Sequence, residues 1–450
     1  MSEKEQAGLL DMLKGLDLQK LKEISKHIDL KEIFTSISKM DQVEMYNLMR
    51  ALKAGNKEHK IPEVNSDFYE LNSLLTEEEK EIRLKVRKFM EEEVEPIANE
   101  YWKKGEFPHE LIPKMAALNI CGLTFDGVGN SNQSYLLEGL ISMEMARIDT
   151  SISTFFGVQA GLAMGSIYFC GSQEQKDYWL PKMQRMETIG AFGLTEPLVG
   201  SAVAGGLTTT AKREGDTWVL NGQKKWIGNA TFSDITIIWA QDVDDKQVKG
   251  FIVEKDTPGF HPEKIEDKMA LRTVQNAVIT LKNCKVSEAN RLQEANSFKD
   301  TAKVLKMTRA GVAWQAVGCA IGAYENALKY ATNRKQFGKP IASFQLVQDL
   351  LVKMLSNLTS MQTLVFRLSQ LQDAGTMTDE QASLAKVTCT LHTREIVSQA
   401  REIMGGNGIL LEYNVARFVA DAEAVYSYEG TKQINSLIVG RAITGLSAFV

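Results

Sequence analysis

Between about Gly190 and Arg291 the hydrophobic pattern repeats every two residues, whereas on both sides of that window it repeats at helical spacing. The runs TWVLNGQKKWIGN, DITIIWAQ, KGFIVEK and NAVITLKNCKV read as strands bounded by Asn-Gly, Asp-Asp and Pro-Gly turns. Upstream, Thr76 and Glu79 form a capping box ahead of an apolar stripe of Ile82, Val86, Phe89 and Met90, and helical patterns continue to about Met186. Long helical segments return from about Phe298. Helices, then strands, then helices is not the alternation that builds a parallel α/β sheet. The order predicts a mainly helical α+β chain with an N-terminal helical domain (66–189), a middle antiparallel β-domain (190–297) and a C-terminal helical bundle (298–450).

Residues 1–65 read differently. Leu16-Asp17-Leu18, Ile28-Asp29-Leu30 and Met40-Asp41-Gln42 recur every 12 residues. Each Asp can cap a helix; Glu32 and Glu44 complete acidic capping boxes after Asp29 and Asp41. Leu16, Ile28 and Met40 can staple to Leu21, Ile33 and Met45. Three short helices follow, ending near Gly55 in a polar linker. They serve either as a packing or oligomer appendage or as a docking module.

Composition removes several classes. The chain has 450 residues, too many for one simple core, and a net charge of −5 with no basic run interleaved with aromatics. Nucleic acid is not an expected partner. The five cysteines are scattered, without C-x-x-C spacing or clustered histidines, so neither a disulfide framework nor a metal site is expected. MSEKEQAGLL lacks the form of a secretory signal, no apolar stretch suggests a membrane span, and Ser447-Ala448-Phe449-Val450 is not a peroxisomal address. A reducing, cytoplasmic setting is the expectation.

Five motifs carry possible chemistry. Leu194-Thr195-Glu196-Pro197 with Gly200-Ser201 is either a structural turn or a set of donors for a flat heteroaromatic edge. Lys225-Trp226-Ile227-Gly228 places an indole near a strand end, for the core or for a cofactor ring. Asn333-Arg334-Lys335-Gln336-Phe337-Gly338 ends a helix, and Arg334 is a solvated charge or a pyrophosphate clamp. Met404-Gly405-Gly406-Asn407-Gly408 lacks the Rossmann spacing and is an interhelical turn or a close approach to phosphate. Tyr428-Glu429-Gly430-Thr431 opens the last helix, where a glutamate ordinarily just favours the helix dipole; Gly430 leaves room beside the carboxylate.

In this order and at these separations, the five motifs resemble the acyl-CoA dehydrogenase and oxidase family over roughly Phe68 to Val450. YEGTKQINSLIVGRAITG, with MGGNG upstream, is most similar to the branch of glutaryl-CoA dehydrogenases and plant short-chain acyl-CoA oxidases. The resemblance implies a C-terminal four-helix bundle, a homotetramer and FAD between β-domain and bundle. It implies that Thr195, Ser201 and Trp226 line the flavin and that Thr431 and Gln433 complete its site. Arg334, Phe337, Gln345 and the Gly405–Gly406 turn would reach the cofactor of a neighbouring subunit. It places the catalytic base at Glu429, with Ser153, Arg309 and Gly430 on the substrate side. Some members carry the base at the position of Thr308, which has no carboxylate here.

The implied reaction is α,β-desaturation of an acyl-CoA, the chemistry of fatty-acid β-oxidation. Three positions depart from the family pattern. Ser153 stands where glutaryl-CoA enzymes hold a distal carboxylate with arginine, which argues for a monocarboxylic substrate. Gly228 replaces the usual Thr or Ser beside the flavin, as also happens in oxidases. Ala202 replaces an Asp and is expected to affect a turn. The leading expectation is a short-chain dehydrogenase passing electrons to an electron-transfer flavoprotein; the alternatives are a peroxide-forming oxidase and a non-catalytic acyl-CoA or partner-binding scaffold.

Overall fold

The computed structural model describes residues 62–128 and 134–448, together with Thr35, 39–41, 43 and 44. The chain divides into two compact units, Met1–Glu63 and Val64–Val450. In the first, Asp41 Oδ1 accepts from the amides of Val43 and Glu44 at 2.8 Å each, and Glu44 Oε2 takes the Asp41 amide at 3.1 Å. That is the acidic capping box read at Asp41. The boxes at Asp17 and Asp29, and the staples, lie outside the described residues.

The first α-helix of the second unit is α1 (Glu77–Phe89), capped by the reciprocal Thr76–Glu79 box. Val86, Phe89 and Met90 are buried and Ile82 packs against their cluster. After two shorter helices (Glu95–Lys104 and Leu111–Ala116) come α2 (Tyr135–Ile148) and one continuous helical run: α3 (Thr150–Phe156), a π-helical stretch (Gly157–Ala163) and α4 (Met164–Cys170). This run, Thr150–Cys170, is long and apolar enough to cross a membrane, contrary to the sequence expectation. Most of it is buried inside the unit, so it is read as a core helix. α5 (Gln173–Gln184) completes this layer, with the reciprocal Ser172–Gln175 box at its start.

Seven strands make one sheet: β1 (Gly190–Gly193), β2 (Thr210–Glu214), β3 (Thr217–Ile227), β4 (Ile235–Asp242), β5 (Val248–Glu254), β6 (Phe260–Lys264) and β7 (Ala277–Ser287). The path is β1-β4-β2-β3-β7-β6, with β5 on β4. Most pairs are antiparallel, but β1 and β2 both run parallel to β4, so the middle sheet is mixed rather than antiparallel. The reason is topological. The chain leaves β1, makes the β2–β3 hairpin, and only then returns as β4, a crossover long enough for parallel pairing. One face of this sheet packs a cluster around Trp218, Phe251 and Ile279.

The C-terminal part holds α6 (Phe298–Asn333), α7 (Gln345–Asp373), α8 (Asp379–Met404), α9 (Val415–Ser427) and α10 (Lys432–Thr444). Nearly all apolar side chains in the middle of α6 are buried, which makes it the central helix of the bundle. Charged groups tie this bundle to the first layer. Arg417 Nη1 meets Asp149 Oδ2 at 2.9 Å, and Arg147 Nη1 meets Glu325 Oε2 at 2.8 Å. Asp149 also caps α3, accepting from the amides of Ser151 and Ile152. The start of α3, and with it Ser153, is thereby fixed against the bundle.

Candidate active site

Where α2, the α3–α4 run, the edge of the sheet, the head of α6 and the α9–α10 connection meet, they enclose a cavity of about 1460 Å3. Ordinary small-ligand clefts measure about 300–1,000 Å3, so this one has room for a cofactor together with a substrate. Glu429, Gly430, Thr431, Thr195, Ser201, Trp226, Ser153 and Arg309 all contribute to its wall.

Glu429 does not lie in the first turn of the last helix, as the sequence suggested. α9 ends at Ser427, and Thr431 is the cap of α10, its hydroxyl accepting from the Ile434 amide at 3.3 Å. Between them Glu429 (φ 54°) and Gly430 (φ 87°) are both left-handed, which no α-helix can pass through. Nor is the space beside Gly430 open, because a Cβ there would stand 3.0 Å from Asn435 Nδ2. Glycine is required by the backbone angle. Two buried donors hold this strained turn. The Gly430 carbonyl accepts from Lys386 Nζ at 2.8 Å and from Asn435 Nδ2 at 2.7 Å, and Lys386 Nζ also reaches the Tyr426 carbonyl at 2.8 Å. The Tyr428 hydroxyl meets Gln315, whose amide donates to Thr154 Oγ1 at 2.8 Å.

The Glu429 carboxylate accepts from Thr308 Oγ1 at 2.9 Å. Burial raises its affinity for a proton above the usual carboxylate range, while the Thr308 hydroxyl, Arg309 and Lys386 pull it back. Thr308 therefore serves the carboxylate it cannot replace. Among the described residues no hydrogen bond takes up the Glu429 amide. Burial lowers the Lys386 ammonium to about 8, with Glu429 opposing the drop. Replacing Lys386 by Met should raise the Glu429 pKa and move the acid limb of a kcat/KM profile to higher pH; an unmoved limb would show that the lysine is structural only.

Elsewhere on the cavity wall, Glu196 is buried and accepts from Lys224 Nζ at 2.8 Å and from the amides of Thr208 and Thr209 at 2.7 and 2.9 Å. Lys224 Nζ also donates to the Leu194 carbonyl at 3.0 Å. These bonds fix Thr195 and the end of β3, where a register shift lies between Lys224 and Ile227. At that irregularity Trp226 is left-handed (φ 68°) and 53% exposed, so it is not a core residue. An indole half bare on a cavity wall fits a flat ring system. Gly228 beside it presents no side chain, and an added Cβ would touch Val158 and Val274 at 3.4 Å. Ala202 caps the short helix Val203–Gly206 without a side-chain hydrogen bond, as its apolar side chain dictates.

Arg334, Phe337, Gln345, Gly405 and Gly406 do not line the cavity, and neither does Gln433; all six are exposed. Part of this set gathers at one end of the bundle. Asn407 Nδ2 of the glycine turn donates to the Tyr330 hydroxyl at 2.9 Å, and the Tyr330 carbonyl accepts from the Arg334 amide at 2.8 Å. Nothing stands within 4 Å of a Cβ added at Gly405 or Gly406, so that turn is open to an incoming group. Sequence reasoning missed Lys386, Asn435, Gln315 and Glu138, another carboxyl on the cavity wall. Each is an unremarkable position within a helix, and only the fold brings it to the site.

Comparison with known proteins identifies the family. The chain matches the acyl-CoA dehydrogenase N-terminal domain over residues 76–187, the middle domain over 191–284 and the C-terminal domain over 298–444. It is 37% identical over 372 residues to a 3-(aryl)acrylate reductase of Clostridium sporogenes (81% of this chain, 98% of the relative). It is 34% identical over 370 residues to the mitochondrial short-chain specific acyl-CoA dehydrogenase of Rattus norvegicus (81% and 90%). Identity to the caffeyl-CoA reductase-Etf complex subunit of Acetobacterium woodii is 35% over 373 residues (81% and 97%). A crystal structure of glutaryl-CoA dehydrogenase from Mycobacterium smegmatis in complex with FADH2 superimposes with a TM-score of 0.82 at 34% identity, covering 85% of this chain and 98% of that one. The chain belongs to the acyl-CoA dehydrogenase family. It is a flavoprotein oxidoreductase with FAD as its cofactor.

Proposed function

We propose that this enzyme desaturates the Cα–Cβ bond of a short monocarboxylic acyl-CoA and hands the electrons to an electron-transfer flavoprotein. The observation that carries the reading is Glu429, a buried carboxylate held by a rigid turn on the wall of a cavity large enough for two ligands. FAD, when bound, supplies the hydride acceptor. Thr195, Ser201, Trp226 and Thr431 are the residues that would hold it, the indole against its ring and the hydroxyls on its polar edge. Arg334, Phe337, Gln345, Gly405 and Gly406 would serve a cofactor shared with a neighbouring subunit of a homotetramer, while Gln433, next to the Thr431 cap but off the cavity wall, is left without a role in it.

The rest of the work falls to side chains and backbone of this chain. Glu429 removes the α-proton, and burial makes it a better base than a carboxylate in water. The Glu429 amide, which has no hydrogen-bond partner among the described residues, is available to donate to a thioester oxygen as negative charge builds there. Gly430 permits the turn that presents both groups. Arg309, ion-paired with Asp379 on the wall, adds positive potential beside them. Ser153 is neutral and buried and cannot pair a distal carboxylate. Glutaryl-CoA should therefore be turned over at least about 100-fold less efficiently than butyryl-CoA in kcat/KM, on the scale of leaving a charge unpaired. Equal efficiencies would overturn the monocarboxylic assignment.

The electron-transfer flavoprotein is supported by the relative named as a subunit of an Etf complex, and the short chain by the rat enzyme's name. Gly228 favours a second reading, an oxidase, because no side chain there covers the space beside the indole. Assaying acyl-CoAs in parallel with oxygen and with an artificial acceptor separates the two: peroxide formed at the rate of substrate loss means an oxidase.

A further inference from the structure

The cavity holds a second carboxyl that the desaturation does not use. Glu138 lies on α2, one turn before Ser142, and both reach the cavity wall. The Ser142 and Ser153 hydroxyls stand 3.3 Å apart, so Glu138 opens onto the same compartment as Ser153. Gly139 brings α2 hard against α6, since a Cβ there would lie 2.3 Å from Trp314 Nε1. Tyr135 and Gln372 add further polar groups to this wall.

No cation answers Glu138. Among the described residues it makes no ion pair, and the hydroxyl of Thr124 is the donor that acts on it. The basic side chains of the cavity are used elsewhere or lie on other elements. Arg309 pairs with Asp379, Lys303 with Asp300, and Lys268 donates to the carbonyls of Leu271 and Val274. Burial pushes the Glu138 carboxyl up to about 7, with Asp373 adding to the rise against Thr124. A carboxyl kept in such a place with one hydroxyl and no cation beside it is costly unless something that enters the cavity bonds to it.

We propose that Glu138 selects acyl groups whose far end carries a hydrogen-bond donor, a hydroxyl or an amine, which it receives together with Ser142 and Ser153. The inference rests on the desaturase reading and deepens it. Where an arginine at the Ser153 position would attract an anion, this wall offers acceptors and negative charge to a donor.

The test uses the FAD-loaded enzyme and a stepped series of ω-hydroxyacyl- and ω-aminoacyl-CoAs with four to eight carbons in the acyl chain. Each is compared with the methyl-ended acyl-CoA of the same heavy-atom length, reading flavin reduction under anaerobic conditions. At one length at least one donor series should exceed its isostere by about tenfold or more in kcat/KM, as a buried charge-assisted hydrogen bond allows. In Glu138→Leu the ratio should fall below one. In Glu138→Gln, which still accepts, it should stay above one, and retained flavin absorbance shows that both variants are folded. If methyl-ended chains are reduced as well as or better than every donor-ended one, or if the ratio ignores both substitutions, Glu138 is no selector. If no acyl-CoA of any kind reduces the flavin, the desaturase reading itself fails and takes this one with it.

Discussion

Replacing Glu429 by Gln lowers the rate of flavin reduction by acyl-CoA by about 10³-fold, while FAD and acyl-CoA still bind. The magnitude follows from removing a general base and leaving everything else in place. Glutamine keeps the shape of the side chain, can still accept from Thr308 Oγ1, and leaves the left-handed turn under the same two donors, Lys386 and Asn435. What it loses is a lone pair basic enough to take the α-proton. Rapid-mixing measurement of the first turnover, alongside the absorbance of bound flavin, separates lost chemistry from lost cofactor. A variant with near-wild-type reduction would remove Glu429 from the mechanism.

The second large effect concerns stability. Lys224→Met strands the buried Glu196 carboxylate, and the expected loss is about 3–5 kcal/mol, the range for breaking one partner of a buried pair. The double variant Glu196→Gln with Lys224→Met should recover part of that loss, because no uncompensated charge remains. Equal melting temperatures for wild type and Lys224→Met would refute the pairing. Burial by itself would raise the Glu196 carboxyl, but the Lys224 ammonium and the groups of Thr208 and Thr209 overcome it and bring it to about 2. Its folded value is thus depressed. The stability it contributes is complete above about 4.5 and drains away as pH falls from there toward about 2. This pair sets the position of Thr195 and of the bulge before Trp226, so flavin should be released in the same acid window.

Much of this arrangement is written in local pattern. The change of period at Gly190 and again near Phe298 marks real transitions, since β1 begins at Gly190 and α6 at Phe298. Thr76 with Glu79, and Asp41 with Glu44, form the boxes that their spacing announces. The order of five motifs carried the family, and eight of the fourteen residues nominated for the site meet at one cavity. The misses have physical causes. Four residues of β1 are too few to show periodicity, and nothing in them reveals that β4 will lie parallel. A non-glycine residue at positive φ leaves no compositional trace, so Glu429 read as helical. Lys386 and Glu138 look like ordinary polar positions on amphipathic helices, and their meaning comes from helices distant in sequence. Arg334 and Gly405 stand exposed and away from the cavity, a placement that their own motifs do not reveal.

The central claim is that this cavity reduces its flavin at the expense of an acyl-CoA Cα–Cβ bond. Anaerobic titration of the FAD-bound protein with butyryl-CoA tests it most directly, following flavin absorbance and analysing the acyl product. The account predicts loss of the oxidised flavin band with formation of one trans-2-enoyl-CoA per flavin reduced. Full retention of that band with butyryl-CoA and with the longer acyl-CoAs, in protein that demonstrably binds both FAD and acyl-CoA, would contradict it.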